Sequence, residues 1–238
     1  MKRVPLEKFY AFLSQPLFPA ARVLLMLAVV PLLLSFTQPL WRISMEAAQY
    51  PKGLYMDIYS YKLEGGNEGQ DIKEINTLNH YIGMSAIDRT ALADLDWIPF
   101  ALGFLVIFTL RVAVIGTVRD VFDAAVLTTY ISVFAFGRFA YQLYTFGHDL
   151  SPEAPVTVAP FMPALLGSKV IANFTTHSLP QAGSALMGVF VFTVLGVLGW
   201  HLIAGRRRAV RELRAAAASL VEDSTRRSRI QEGAETAG

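Results

Sequence analysis

The first long apolar stretch of the chain begins Val23-Leu24-Leu25-Met26-Leu27-Ala28-Val29-Val30 and continues to about Leu40. A helix needs about 20 mostly apolar residues to cross a hydrocarbon layer about 30 Å thick. Three later stretches meet the same requirement, at about 97–116, 121–140 and 185–205. The sequence therefore predicts an all-α membrane protein with four transmembrane helices.

The composition agrees with a chain that faces lipid over much of its surface. Of its 238 residues 53 % are hydrophobic and only 17 % are charged, which is more apolar than a soluble domain of this size requires. Because the chain has no cysteine, disulfides, thiolate metal sites and thiol catalysis are excluded. Any metal site has to use His, Met, Asp or Glu side chains.

The distribution of lysine and arginine predicts the orientation of the chain. Basic residues precede the first stretch, occupy the turn between the second and third, and follow the fourth: Lys2, Arg3, Lys8, Arg22, Arg119, Arg206, Arg207, Arg208, Arg211 and Arg214. Short loops rich in Lys and Arg stay in the cytoplasm. We therefore expect both termini inside the cell and the two long loops on the periplasmic or external side.

These expectations divide the chain into nine segments. They are a cytoplasmic or interfacial segment 1–22, the spans 23–40, 97–116, 121–140 and 185–205, the outer loops 41–96 and 141–184, a cytoplasmic turn 117–120, and a basic cytoplasmic helix with a disordered tail 206–238. The basic helix also has an apolar stripe that suits anionic lipid or a partner helix. Its basic patch is short and lacks interleaved aromatic residues, so nucleic-acid binding is not expected.

Both outer loops carry signals of folded structure. Residues 53–63 alternate in part as a strand does, and Ile72, Ile75, Leu78 and Ile82 recur at helical spacing. The first loop is therefore predicted to hold a small β element and a helix. Prolines at several positions of the second loop exclude a continuous helix and predict a folded, non-helical lid.

Three charged residues fall within the predicted spans, and one of them, Arg138, lies near the outer end of the third span. Arg111 lies near the cytoplasmic end of the second span, and Asp123 lies at a similar depth in the antiparallel third span. Arginine at such a depth can extend its side chain to the interface. We expect a structural ion pair between Arg111 and Asp123 that ties the helical hairpin together, rather than an ion path.

The outer loops also hold the candidate metal ligands. Histidine and methionine suit copper, and imidazole also suits zinc. The candidates are His80, Met84, His148, Met162 and His177. Such residues in ordered loops are more often packed or hydrogen-bonded than metal-bound, and no two of these histidines have a close ligand spacing.

Motifs typical of enzymes are missing from the sequence. There is no phosphate-binding Gly-x-x-x-x-Gly-Lys-Ser/Thr loop, no Gly-x-Ser-x-Gly elbow and no His-Glu-x-x-His pair. The predicted spans do not present facing histidines that would ligate a haem. We therefore expect a protein that is not an enzyme.

Two outer segments carry a resemblance to known sequences. The chain resembles an uncharacterised group of bacterial four-span membrane proteins in both outer loops. In the first loop the matching residues are Tyr50-Pro51-x-Gly53-Leu54 and Glu74-Ile75-Asn76-x-Leu78-Asn79-His80-Tyr81-Ile82-Gly83-Met84. In the second loop they are His148-Asp149-Leu150 and Pro160-Phe161-x-Pro163. Genes of that group often lie near copper-delivery genes of the nitrous oxide reductase assembly system. The resemblance implies an accessory role in metal or cofactor handling on the periplasmic side of the inner membrane, without implying a reaction.

Three functional hypotheses follow from these observations. The first is a membrane-anchored accessory protein that handles a metal, most simply copper, or assists cofactor assembly. The second is a structural or assembly subunit of a larger membrane complex, with its tyrosine-rich first outer loop as the docking surface for protein partners. The third and weakest is a small-solute transporter, since the chain lacks internal repeats and broken helices with convergent polar groups.

Overall fold

The structure is a computed structural model that describes residues 6–89, 91–171, 174–205, 207 and 211. The predicted basic helix and tail at 206–238 lie outside the described residues except for these last two. The helices are α1 (Leu6–Leu13), α2 (Pro19–Leu34), α3 (Gln70–Tyr81), α4 (Asp94–Ile115), α5 (Val118–His148) and α6 (Ala182–Gly205). The strands are β1 (Trp41–Ala47), β2 (Tyr50–Ile58), β3 (Leu63–Gly65), β4 (Gly167–Ile171) and β5 (Phe174–Pro180).

Four of these helices are long and apolar enough to span a membrane, as predicted. They are α4, α5, α6 and α2 with the short turn that extends it to Thr37. Each buries one stripe against its neighbours: Ala21, Leu25, Ala28 and Leu32 on α2, and Phe190, Val194 and Val197 on α6, have the spacing of one helical face. The other faces expose large apolar side chains such as Phe100, Ile107 and Phe192, which agrees with a lipid environment.

The end of the bundle where α4 turns into α5 is held by local hydrogen bonds. Thr117 is the N-cap of α5 and forms a capping box with Asp120, whose carboxylate accepts the Thr117 backbone N–H at 2.7 Å. Arg111 donates to the same carboxylate at 3.3 Å. The predicted partner Asp123 is exposed instead. It lies three residues after Asp120 on the same helix, so its side chain points about 60° away from that of Asp120 around the helix axis. The Arg111–Asp123 pair is therefore replaced by Arg111–Asp120.

The all-α prediction needs correction, because both long loops contribute to a five-stranded antiparallel sheet. Its strand order is β3-β2-β1-β5-β4. Strand β1 is central and pairs with β2 from the first loop and with β5 from the second, so that Ser44 lies opposite both Tyr55 and His177. The two loops thus form one unit, the sheet domain, made of the five strands, α3 and the segment 149–166. We call this segment the strap.

The sheet domain is fastened to the helices by polar and aromatic contacts. Asp94, the first residue of α4, accepts hydrogen bonds from Arg138 Nε at 3.0 Å and from Trp97 Nε1 at 2.7 Å. Trp41, the first residue of β1, contacts Phe139 of α5 with ring centroids 5.1 Å apart. Tryptophans concentrate at membrane–water interfaces. This end of the bundle, the sheet end, therefore has the chemistry of an interface.

Candidate functional site

The inner face of the sheet covers an apolar chamber. Period-two alternation directs Ile43, Met45, Met56 and Ile58 to this face, and Phe174 and Thr176 of β5 lie on the same side. Helix α3 closes the chamber from one side with Ile75 and Asn79. The cavity measures about 60 Å³. This space is about five times the 10–15 Å³ that one water molecule requires.

The far end of α5 forms the opposite wall. The helix runs eight residues beyond the predicted end of the third span at 140, to His148. Its residues Phe139, Gln142, Leu143 and Phe146 all line the chamber, at the spacing of one helical face. The chamber therefore begins beside Trp41 at the sheet end of the bundle and extends away from the helices.

Asn79 has an unusual environment within this wall. Its side chain is fully buried, lines the chamber, and has neither its amide nitrogen nor its amide oxygen hydrogen-bonded. Leaving a buried polar group without a partner costs about 1–3 kcal/mol. Because nearly all buried polar groups in folded proteins have partners, the unpaired amide of Asn79 is a hydrogen-bonding group that a water molecule or an ion in the chamber would satisfy.

Three methionines share the chamber with Asn79. They are Met45 of β1, Met56 of β2 and Met84, which follows α3. The whole chain has seven methionines, so nearly half of them lie around one small cavity. Met45 and Met56 are almost fully buried, and Met84 packs against the same apolar cluster.

Helix α3 is held on the sheet by buried polar contacts. The Asp71 carboxylate accepts hydrogen bonds from the Tyr55 backbone N–H at 3.0 Å and from Asn67 Nδ2 at 2.7 Å. Glu74 accepts a hydrogen bond from the Tyr50 hydroxyl, which raises the pKa of Tyr50. These contacts fix the rotation of α3 and hence the direction of Asn79.

The strap closes the chamber from the second loop. Its backbone bonds to the residues that follow α3, with Ser151 N to Gly83 O at 2.8 Å and Val156 N to Tyr81 O at 2.9 Å. Further along, Phe161 N donates to Gly147 O at 2.9 Å. The segment that follows His148 is therefore in direct backbone contact with the segment His80–Met84.

The predicted ligands His80 and His148 lie near this junction and are exposed. The Nδ1 atom of His148 is 2.9 Å from the carbonyl oxygen of Tyr144, and the two rings stack with centroids 3.8 Å apart. When this nitrogen carries the proton, Nε2 is left free, which is the arrangement that metal-binding histidines use. Neither residue lines the chamber; of the predicted ligands only Met84 does.

His177 and Met162 are separated from that junction. His177 points to the opposite face of the sheet, where its Nδ1 lies 2.6 Å from Ser168 Oγ and its Nε2 lies 3.7 Å from Glu46. Met162 precedes the chamber-lining Pro163, and its carbonyl oxygen accepts a hydrogen bond from Lys169. The five predicted ligands therefore do not form one site.

Sequence reasoning missed Met45, Met56 and the role of Asn79. Met45 and Met56 alternate with polar residues in the manner of inward-facing strand positions, which was the available signal. Asn79 stands one turn after Ile75 on the buried face of α3, where a polar residue is unexpected. Among His, Cys, Asp and Glu of the described residues, no group of three could hold a metal ion.

Comparison with known proteins supplies no relative from which a function could be transferred. No family model matches the chain, and no curated protein and no solved structure matches it significantly.

Proposed function

We propose that this chain is a membrane-anchored accessory protein that binds copper(I) in its sheet domain, on the outer side of the bacterial inner membrane. The observation that carries the proposal is the small chamber lined by three thioethers and an unpaired buried amide. Thioether sulfur is a soft ligand that selects copper(I) among the common biological metal ions. The resemblance to proteins encoded near copper-delivery genes points the same way.

The basic residues support the proposed orientation. The end of the bundle away from the sheet domain carries Arg22 and Arg119, and Arg207 follows α6 at the same end. The positive-inside rule associates such basic residues with the cytoplasmic side of a membrane. The sheet domain then faces the periplasm. Because the chain has no native cysteine, single cysteines at Ser168 and Arg119 would report the two sides by impermeant thiol labelling.

The interior of the helix bundle favours an anchoring role over a transport role. Its buried residues are apolar apart from the hydroxyls of Ser35, Thr109 and Thr128 and from His201, whose ring nitrogens are bonded to the Phe18 N–H and the Val197 carbonyl oxygen. A path for a charged solute would need convergent polar or charged groups near the middle of the membrane. The described part of the bundle core has no charged residue among its buried side chains.

Titration of the purified protein with copper(I) tests the proposal. In mild detergent and a competing copper(I) chelator, we expect the full chain to hold one copper(I) ion per molecule. Zinc is expected not to compete, because the chamber offers neutral sulfur ligands and no carboxylate or imidazole.

The matched control is the same detergent and chelator without protein. Copper that stays entirely with the chelator over the accessible affinity range would contradict the proposed function. Equal binding of zinc would show that the chemistry lies elsewhere than at thioethers.

The hypothesis of an assembly subunit keeps one specific observation in its favour. Tyr55, Tyr61 and Tyr81 expose between 39 % and 53 % of their surfaces on the sheet domain, and tyrosine is enriched in protein interfaces. Native mass measurement after gentle extraction would separate the two functions, since a copper-binding monomer without partners would count against a subunit role.

A further inference from the structure

We infer that Met45, Met56 and Met84 bind copper(I) together, with the Asn79 amide oxygen as a fourth contact. The inference rests on the proposed function and assigns its ligands. It differs from the set expected from the sequence, because it keeps Met84, adds two strand residues and leaves the histidines outside.

The strand register places the first two methionines as diagonal neighbours on one face of the sheet. Met45 lies opposite Leu54 in the β1–β2 pair, and Met56 is two residues further along β2 on the same face. Such diagonal neighbours have Cα atoms about 7–8 Å apart, which is within reach of long side chains. Methionine has three rotatable bonds beyond its backbone, so both thioethers can turn to a common point in the chamber.

The turn after α3 supplies the other two groups. Met84 N donates to the Asn79 backbone oxygen at 2.9 Å, so this hydrogen bond fixes the two residues beside each other. Both side chains line the chamber that Met45 and Met56 line. The Asn79 side chain has no protein partner there, and its oxygen is an acceptor that a cation can satisfy.

The size and charge of the chamber select the ion. At about 60 Å³ the chamber is well below the volume of a cavity that binds benzene, about 150 Å³, so it has room for an ion or a small molecule and not for an aromatic ligand. The chamber has no acidic residue in its lining, so a divalent ion would be buried without compensating charge. A monovalent ion that prefers sulfur carries the smaller cost, which favours copper(I).

An ordinary core filled by flexible methionines and one water is the alternative. Methionine fills irregular gaps in many cores, and a buried water commonly satisfies an unpaired amide. Replacing methionine by leucine separates the two, because the exchange conserves volume and usually costs less than about 1.5 kcal/mol while it removes the sulfur.

The experiment compares single variants of the full chain in the chelator titration. We expect Met45→Leu, Met56→Leu and Met84→Leu each to weaken copper(I) binding at least tenfold. Met26→Leu is the control, because Met26 lies on the exposed face of α2. Thermal unfolding without copper should be similar for all four variants, and X-ray absorption of the copper-loaded protein should show sulfur neighbours.

A second set of variants keeps the inference separate from the proposed function. If the double variant His80→Ala/His148→Ala abolishes binding while the three leucine variants bind normally, the protein binds copper but the thioether assignment is wrong. If no variant and no wild-type protein binds copper, the function itself fails. We expect Asn79→Leu to weaken copper(I) binding. If Asn79→Leu instead raises the thermal stability and leaves the copper(I) affinity unchanged, the chamber is a water site and the proposed role of Asn79 is wrong.

Discussion

Replacing Gly147 by alanine is expected to detach the strap and to lower the stability of the sheet domain by about 1–3 kcal/mol, the usual cost of overpacking. A β-carbon on Gly147 would lie 1.9 Å from the Phe161 carbonyl oxygen and 2.8 Å from Pro163 Cδ. The nearest of these atoms belongs to the backbone, so the strap itself has to move. Since Pro163 and Ala164 line the chamber, the movement also opens it.

Thermal unfolding and limited proteolysis of the strap would measure this effect. Gly137→Ala is the matched control, because Gly137 lies in the same helix and a β-carbon there would meet no atom within 4 Å. We expect that control to unfold at or above the wild-type temperature, since alanine is the better helix former. Equal melting temperatures and equal cleavage of the two variants would contradict the close packing of α5 against the strap.

The four helices could be predicted because their signal is local. A run of about 20 apolar residues such as that from Val23 needs no partner to be recognised. Helix α5 continues past the predicted end of the third span at 140, because the bilayer thickness sets only the minimum length of a helix that spans it. Beyond Arg138 the apolar residues Phe139, Leu143 and Phe146 continue at helical spacing, but they line the chamber under the sheet instead of facing lipid.

The sheet was underestimated because its central pairing joins two loops that are far apart in the sequence. The strand Trp41–Ala47 alternates clearly, yet alternation alone does not identify its partner. In β5 the buried positions include Thr176 and Ser178, so the polar-out pattern of a half-buried strand is hidden. Hydrogen bonds from Trp41 Nε1 to Ser178 Oγ and from Thr176 Oγ1 to the Lys169 backbone oxygen satisfy these buried hydroxyls.

The candidate site shows the same division between local and non-local information. Residue type alone directed attention to His80, Met84 and His148, since these side chains suit copper wherever they occur. Their grouping depends on tertiary structure. The sheet register brings Met45 beside Met56, whereas the outward direction of His177 excludes it, and neither fact can be obtained from residue spacing within one loop.

Replacing Arg22 by methionine is expected to cost about 2–3 kcal/mol of stability at the opposite end of the bundle. Its guanidinium donates to the carbonyl oxygens of Ala113, Val114 and Gly116 at the carboxyl end of α4. The last carbonyl groups of a helix have no partner within it and carry its negative dipole end. One planar cation from α2 therefore satisfies several of these acceptors, and hydrogen bonds to charged groups contribute about 1.5–3 kcal/mol.

Arg119→Met is the matched control for this variant. Arg119 is exposed and lies just past the same turn, so its loss changes the net charge and the positive-inside balance equally. We expect Arg22→Met to lower the thermal unfolding temperature in detergent well below that of Arg119→Met. Arg22→Lys should be intermediate, because an ammonium group cannot present the forked donors of a guanidinium. If both methionine variants lost the same stability, the loss would belong to general charge, and the capping of α4 by Arg22 would be refuted.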